Sequence, residues 1–121
     1  MHEMSVAIAL LERALEEAQR AGLRNVTRVQ VELGALQAVE PDLLREAFSA
    51  AAIGGPAEGS LLEVTMRPAE ARCQACGQAF RPTYRDYACP ACGRAESQVT
   101  AGRDLLLLAL SGEAEEEGAA P

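Results

Sequence analysis

Cys73-Gln74-Ala75-Cys76-Gly77, a loop, then Cys89-Pro90-Ala91-Cys92-Gly93 is the stretch on which the fold turns. Two CxxC pairs joined by a short loop have the ligand spacing of a tetrahedral site with four cysteine ligands. Two intervening residues let both sulfurs of a pair point the same way, and a Gly after each second Cys permits the tight left-handed turn of a knuckle. Zinc held by four thiolates has no open position for a substrate, so the spacing predicts a structural clamp and not a catalytic metal. Iron is the chemical rival, since four thiolates hold it too. A pair of disulfides fits poorly. The chain opens without a secretory leader, and a CxxC disulfide is a redox device, not a staple. A thioredoxin-like reading uses one CxxC at a helix start, not two linked by a loop containing Pro82, Thr83 and Tyr84.

The metal segment spans about residues 70–96 and interrupts an otherwise regular pattern. Before it, Leu62, Val64 and Met66 alternate with Glu63, Thr65 and Arg67, a strand closed by Pro68. After it, Gln98 to Leu110 returns to strand character, and the apolar run Leu105–Leu108 fits a strand covered on both faces. Upstream, Val29, Val31 and Leu33 alternate with Arg28, Gln30 and Glu32 in another half-buried strand ended by Gly34. Met4, Ile8, Leu11, Leu15 and Ala18 recur at helical spacing and predict an amphipathic first helix, stopped by Gly22. Pro41 and Asp42 suit the first turn of a second helix, with Leu44, Ala47, Phe48 and Ala51 on one face, broken by Gly54-Gly55-Pro56. The expected fold is therefore α+β: two helices on a three-stranded sheet with an inserted four-cysteine zinc-ribbon subdomain. Residues 1–69 and 97–111 form the α/β part, 70–96 the ribbon, and 112–121 a disordered acidic tail.

At 121 residues with 49% apolar content, the chain is one domain's worth with room for a modest core. No stretch approaches the roughly 20 apolar residues of a membrane span. Four reduced, paired cysteines and no targeting segment point to the cytoplasm. The net charge of −7 argues against nucleic acid as the default partner. The charge is uneven: from Arg67 to Arg103 there are six Arg and three acids, a balance of +3, leaving −10 elsewhere. Zinc on four thiolates adds −2, so this basic segment falls to about +1. Tyr84, Tyr87, Arg81 and Arg85 supply only a little of what a nucleic-acid-binding ribbon needs. Enzyme chemistry is disfavoured as well: the only His is at position 2, no phosphate-cradling Gly loop occurs, and a closed thiolate site offers no Lewis acid.

His2 is ordinarily an uninformative residue, more often a surface side chain than a ligand. Its position changes that. The terminal amine of Met1, the His2 amide and the His2 imidazole can converge on one metal, and Glu3 or its amide can add a fourth donor. Nitrogen-rich, roughly planar sets suit Ni(II) or Cu(II) better than zinc.

Met1-His2-Glu3-Met4-Ser5, Gly34-Ala35-Leu36-Gln37-Ala38-Val39-Glu40-Pro41, the paired CxxC motifs and Gly102-Arg103-Asp104-Leu105 occur in one order. Together they resemble the HypA/HybF family of nickel metallochaperones, from Met1 to about Leu110. The resemblance implies Ni2+ as transferred cargo at His2, Glu3 and Met1, and structural Zn2+ at Cys73, Cys76, Cys89 and Cys92. It implies delivery to the large subunit of a [NiFe]-hydrogenase with a HypB-type nickel-handling GTPase as partner, and in some relatives service to urease maturation. Glu40 lies where some relatives carry an acid near the nickel. It is equally an acid placed where the dipole of the following helix favours it. The chain departs from many relatives in reading Gly34-Ala35-Leu36-Gln37 where they have Gly-Glu-Leu-Ser, and in its leucine-rich last strand. A zinc-ribbon adaptor, or a nucleic-acid-binding module without nickel cargo, is the alternative.

Overall fold

The computed structural model describes residues 2–83 and 86–115. Met1, Tyr84, Arg85, residues 116–121 and the side chain of His2 lie outside the described residues, and with them most of the acidic tail. The order is α1 (His2–Arg20), β1 (Arg28–Gly34), a 3-10 turn (Ala35–Gln37), α2 (Pro41–Ala52), β2 (Leu61–Arg67), β3 (Glu70–Cys73), β4 (Ala79–Phe80), β5 (Ser97–Ala101) and β6 (Leu105–Ser111). There are two three-stranded sheets, ordered β2-β1-β6 and β4-β3-β5. The chain divides into two compact units: residues 1–31, 39–64 and 107–121, and residues 32–38 and 65–106. The second unit thus takes in the ribbon together with 32–38, 65–69 and 97–106.

In the first unit α1 and α2 pack on each other. The core joins Ala7, Leu10, Ala14 and Ala18 of α1 to Leu44 and Phe48 of α2 and to Val29, Val31 and Leu62 of the strands. Alternation in β1 is as the sequence requires, with Val29 and Val31 fully buried between more exposed neighbours. The face of α1 differs from expectation. Met4 and Ile8 are 44% and 46% exposed, whereas Ala7 and Ala14 are fully buried. Both stripes have helical period. The one containing small residues is turned inward, because the distance between packed helices is set by the side chains at the contact, and alanines let the axes approach. Gly22, at φ 75, closes α1 with paired bonds, Leu23 N–H to the Ala18 carbonyl at 2.9 Å and Gly22 N–H to that of Gln19 at 3.1 Å. Leu61 N–H donates to the Thr27 carbonyl, while Arg28 and Gln30 both bond Glu63. Partner numbers rise together, so β1 and β2 run parallel and α2 is their crossover.

The expected continuous strand from Gln98 to Leu110 is two strands in two sheets. Gly102, at φ 83, turns the chain between β5 and β6. Nor is the leucine run covered on both faces: β6 is an edge strand, and Leu106 and Leu108 are 46% and 57% exposed. A continuous apolar run carries no period, so burial on two faces and on one cannot be told apart from it. Residues 112–115, read from sequence as the start of the tail, belong to the fold. Glu115 N–H donates to the Gly22 carbonyl at 2.8 Å, Arg24 N–H to that of Glu113 at 2.9 Å, and Glu113 N–H to the Asn25 side chain at 2.7 Å.

Candidate metal centres

Cys73 ends β3, and its partner Cys76 follows after a two-residue turn. Gly77 N–H donates to the Cys73 carbonyl at 2.8 Å, and Cys73 N–H to that of Gln78 at 2.9 Å. The second pair repeats the device: Gly93 N–H to the Cys89 carbonyl at 2.7 Å, Cys89 N–H to that of Arg94 at 2.8 Å. Gly77 and Gly93 have φ of 79 and 78, the left-handed turn each knuckle needs. Sequence reasoning missed the support beneath the first knuckle, where Arg72 donates to the Gly77 carbonyl at 2.8 Å. No periodic or spacing signal marks that contact.

The four sulfurs lie within 4.8 Å of one another. Cys73 and Cys92 are 3.6 Å apart, Cys76 and Cys89 3.7 Å. A disulfide is about 2.05 Å long, so none is formed. A tetrahedron with metal–sulfur bonds of about 2.3 Å places its sulfurs about 3.8 Å apart, and the site fits zinc on that measure. Cys73 and Cys89 are buried, Cys76 and Cys92 exposed. The Cys76 amide, which approaches the Cys73 sulfur at 3.5 Å, pulls the Cys73 thiol down to about 7 against the opposing effect of desolvation. At Cys76 the Gln78 amide also pulls down, but desolvation and the neighbouring thiols prevail and push the group up to about 11. Cys92 too is raised: the Arg94 amide lowers it, and the Cys73 thiol with desolvation outweighs that. The Cys73 thiol therefore ionises before those of Cys76 and Cys92, and metal entry must displace protons from that raised pair.

At the other end of the chain, His2 opens α1. Glu3 is half-buried in the first turn, and its carboxyl is held below the ordinary range by the chain's amino terminus first, then by its own amide, with the Glu40 amide adding to the effect. Glu3 and Glu40, far apart in sequence, are thus brought together. The Glu40 carboxylate has a task of its own: it accepts the Leu43 N–H at 3.0 Å and caps α2, with Pro41 in the first turn. We predict that Glu40→Ala lowers stability by about 1 kcal/mol, read as a shift of the urea midpoint, since one orphan amide of α2 loses its partner. A metal role at Glu40 requires that the same variant also weaken nickel binding.

A family model described as "Hydrogenase/urease nickel incorporation, metallochaperone, hypA" matches residues 1–111. The hydrogenase maturation factor HypA of Shewanella sp. (strain MR-7) is 36% identical over 117 residues, covering 97% of this chain and 99% of that protein. The HypA of Acidithiobacillus ferrooxidans (strain ATCC 53993 / BNL-5-31) is 41% identical over 105 residues, covering 87% and 93%. Among solved structures, the solution structure of the Ni metallochaperone HypA from Helicobacter pylori superposes with a TM-score of 0.69 at 25% identity, covering 93% of this chain and 98% of the other. Among the described residues, no helix is long and apolar enough to cross a membrane.

Proposed function

This chain belongs to the HypA family of hydrogenase and urease nickel-incorporation metallochaperones, and from that premise we propose that it carries Ni(II) at its N-terminus to the large subunit of a [NiFe]-hydrogenase during maturation. Cytoplasmic delivery with a HypB-type nickel-handling GTPase, and in some settings service to urease maturation proteins, complete the reading. It is a carrier and not an enzyme. What supports it most is one combination on one chain: the Met1-His2-Glu3 opening with a four-sulfur cluster of tetrahedral spacing near the other end.

The two ends divide the labour. Cys73, Cys76, Cys89 and Cys92 would hold zinc, which supplies a closed, rigid clamp with no position for a substrate. The Met1 amine, the amide and imidazole of His2, and Glu3 through its amide or carboxylate form an exchangeable donor set suited to nickel. Glu40 is a secondary candidate, already engaged as a helix cap. Residues 1–69 with 97–111 act as the nickel-binding part and 70–96 as the zinc ribbon.

Titration of zinc-loaded protein with nickel, parent beside His2→Ala, tests this. The parent takes up about one nickel per chain, His2→Ala loses that uptake, and zinc stays in both. Nickel affinity falls as pH drops towards the ordinary imidazole value of about 6.5, because protons compete for the same nitrogens. Equal uptake by both proteins, or nickel displacing zinc from the cysteines, overturns the cargo site and leaves a zinc-stabilised adaptor.

A further inference from the structure

The two units treat their cations differently. In the first, every arginine is within ion-pair distance of a carboxylate: Arg13 and Arg20 with Glu17, Arg24 with Glu113, Arg28 with Glu63, Arg45 with Asp42. In the second, Arg67, Arg72, Arg81, Arg94 and Arg103 make no ion pair among the described residues, although Arg72 donates to the Gly77 carbonyl. Supply of acid does not explain the contrast alone. The first unit has thirteen carboxylates to five arginines, but the second still has five to six.

Four of these arginines are gathered, not scattered. Arg67 and Arg103 border a cleft of about 370 Å3 that also holds Glu32 and Asp104. Arg72 and Arg81 border a second cleft, about 450 Å3, with Glu70 and Phe80. Thr100 lines both, so the clefts adjoin on the same unit. The register explains the second. Arg72 lies opposite Ala79 on β4 and Gln98 on β5, Arg81 follows directly on β4, and Thr100 is the residue left unpaired where the β5 register shifts beside Glu70 and Ala71. All four arginines are exposed: Arg67 and Arg72 lie on strands, Arg81 directly follows β4, and Arg103 lies in the turn at Gly102.

Resting on the carrier reading above, we propose that this arginine-lined face docks a carboxylate-bearing polypeptide segment of a protein partner in nickel delivery. Guanidinium forks match carboxylates in two-point geometry, and an arginine with no internal ion pair has no carboxylate to give up when it binds. A nucleic acid fits less well. Glu32, Glu70 and Asp104 are interleaved with the four arginines, so the face is mixed in sign, and the whole chain carries −7. A uniform phosphate backbone meets repulsion at each of those acids, whereas a polypeptide can vary its charge residue by residue.

The test uses the full zinc-loaded chain and a fluorescein-labelled peptide of alternating Glu and Ser, followed by anisotropy. Matching Gln-Ser and Lys-Ser peptides and an oligouridine serve for comparison. The parent binds the Glu-Ser peptide in preference to the others, and binding weakens as salt rises. The combined variant Arg67→Gln, Arg72→Gln, Arg81→Gln, Arg103→Gln binds it roughly tenfold or more weakly, while Arg13→Gln with Arg20→Gln binds like the parent. Equal binding by parent and fourfold variant overturns the proposal, as does a parent that does not distinguish Glu-Ser from Gln-Ser. Oligouridine binding as tight as the peptide overturns the commitment to a protein partner. Should the fourfold variant fail to fold, the ligand preference of the parent decides by itself. Nickel and zinc are quantified on the same samples: a parent that prefers the Glu-Ser peptide but takes up no nickel sinks the cargo reading alone, and a parent that takes up nickel but shows no such preference sinks only the docking face.

Discussion

Cys73→Ser is expected to abolish stoichiometric zinc binding and to unfold the ribbon while the helices persist. The reason is how little else holds residues 74–96. Among the described residues of that span only Pro82 and Cys89 are buried, and β4 is two residues long. So short a segment cannot offset its own conformational entropy by apolar burial. A structural zinc site contributes on the order of 10 kcal/mol or more of apparent binding free energy, which in a segment like this is folding free energy. Serine at position 73 supplies a hydroxyl where a thiolate is needed, at a cysteine whose thiol the Cys76 amide draws down to about 7. Amide exchange should report the loss directly. The Cys89 N–H, bonded to the Arg94 carbonyl, and the Gly93 N–H, bonded to that of Cys89, lose protection. Amides in the middle of α1 and α2 keep theirs, because their core of Leu10, Leu44 and Phe48 is made without the metal. Retention of one zinc per chain at parental affinity would falsify the assignment of Cys73 as a ligand.

The same residues show why the four-cysteine cluster was legible in the sequence and the strand plan only partly so. A ligand set is local. Cys73 and Cys76, or Cys89 and Cys92, declare their geometry through two intervening residues and a following Gly, and Gly77 and Gly93 adopt the positive φ that this spacing demands. The helix start at Pro41 was equally local, although Glu40 as an acid favoured by the helix dipole could not be separated from Glu40 as a ligand, and its capping bond to Leu43 N–H carried no signal. The inward face of α1 was not local. Val6, Ala7, Leu10, Leu11, Ala14, Leu15 and Ala18 form a stripe wide enough for more than one orientation, and the choice rests on how closely α2 approaches. Gln98 to Leu110 reads as strand throughout, because residues on either side of Gly102 prefer extended backbone. That they serve different sheets depends on what Gly102 touches, and the residues it touches lie far away in sequence.

Those neighbours make Gly102→Ala the more instructive of the glycine substitutions, with an expected loss of about 3 kcal/mol, the sum of two penalties. Its φ of 83 favours glycine on any view, and a side chain there costs roughly 1 kcal/mol. The added Cβ would also sit 2.5 Å from the Ala69 Cα and 2.6 Å from the Pro68 carbonyl oxygen. Both are backbone atoms, which cannot rotate aside. Gly34 presses on the same turn from another side: a Cβ there would lie 2.4 Å from the Gly102 carbonyl oxygen and 2.8 Å from that of Asp104. The bonds from Gly34 N–H to the Asp104 carbonyl and from Leu36 N–H to that of Gly102, both 2.9 Å, hold the segments at that spacing. Gly59 provides the internal control. Its φ is 79, yet nothing lies within 4 Å of its Cβ position, so Gly59→Ala should show the conformational penalty alone, about 1 kcal/mol. Urea midpoints of the three single variants and of the Gly34→Ala, Gly102→Ala pair separate the terms. If crowding at the turn is real, the pair loses less than the sum of its members, because either methyl already forces the segments apart. Were Gly102→Ala no worse than Gly59→Ala, close approach would not be what keeps glycine at 102. The turn that aims Arg103 into its cleft would then owe its shape to φ alone.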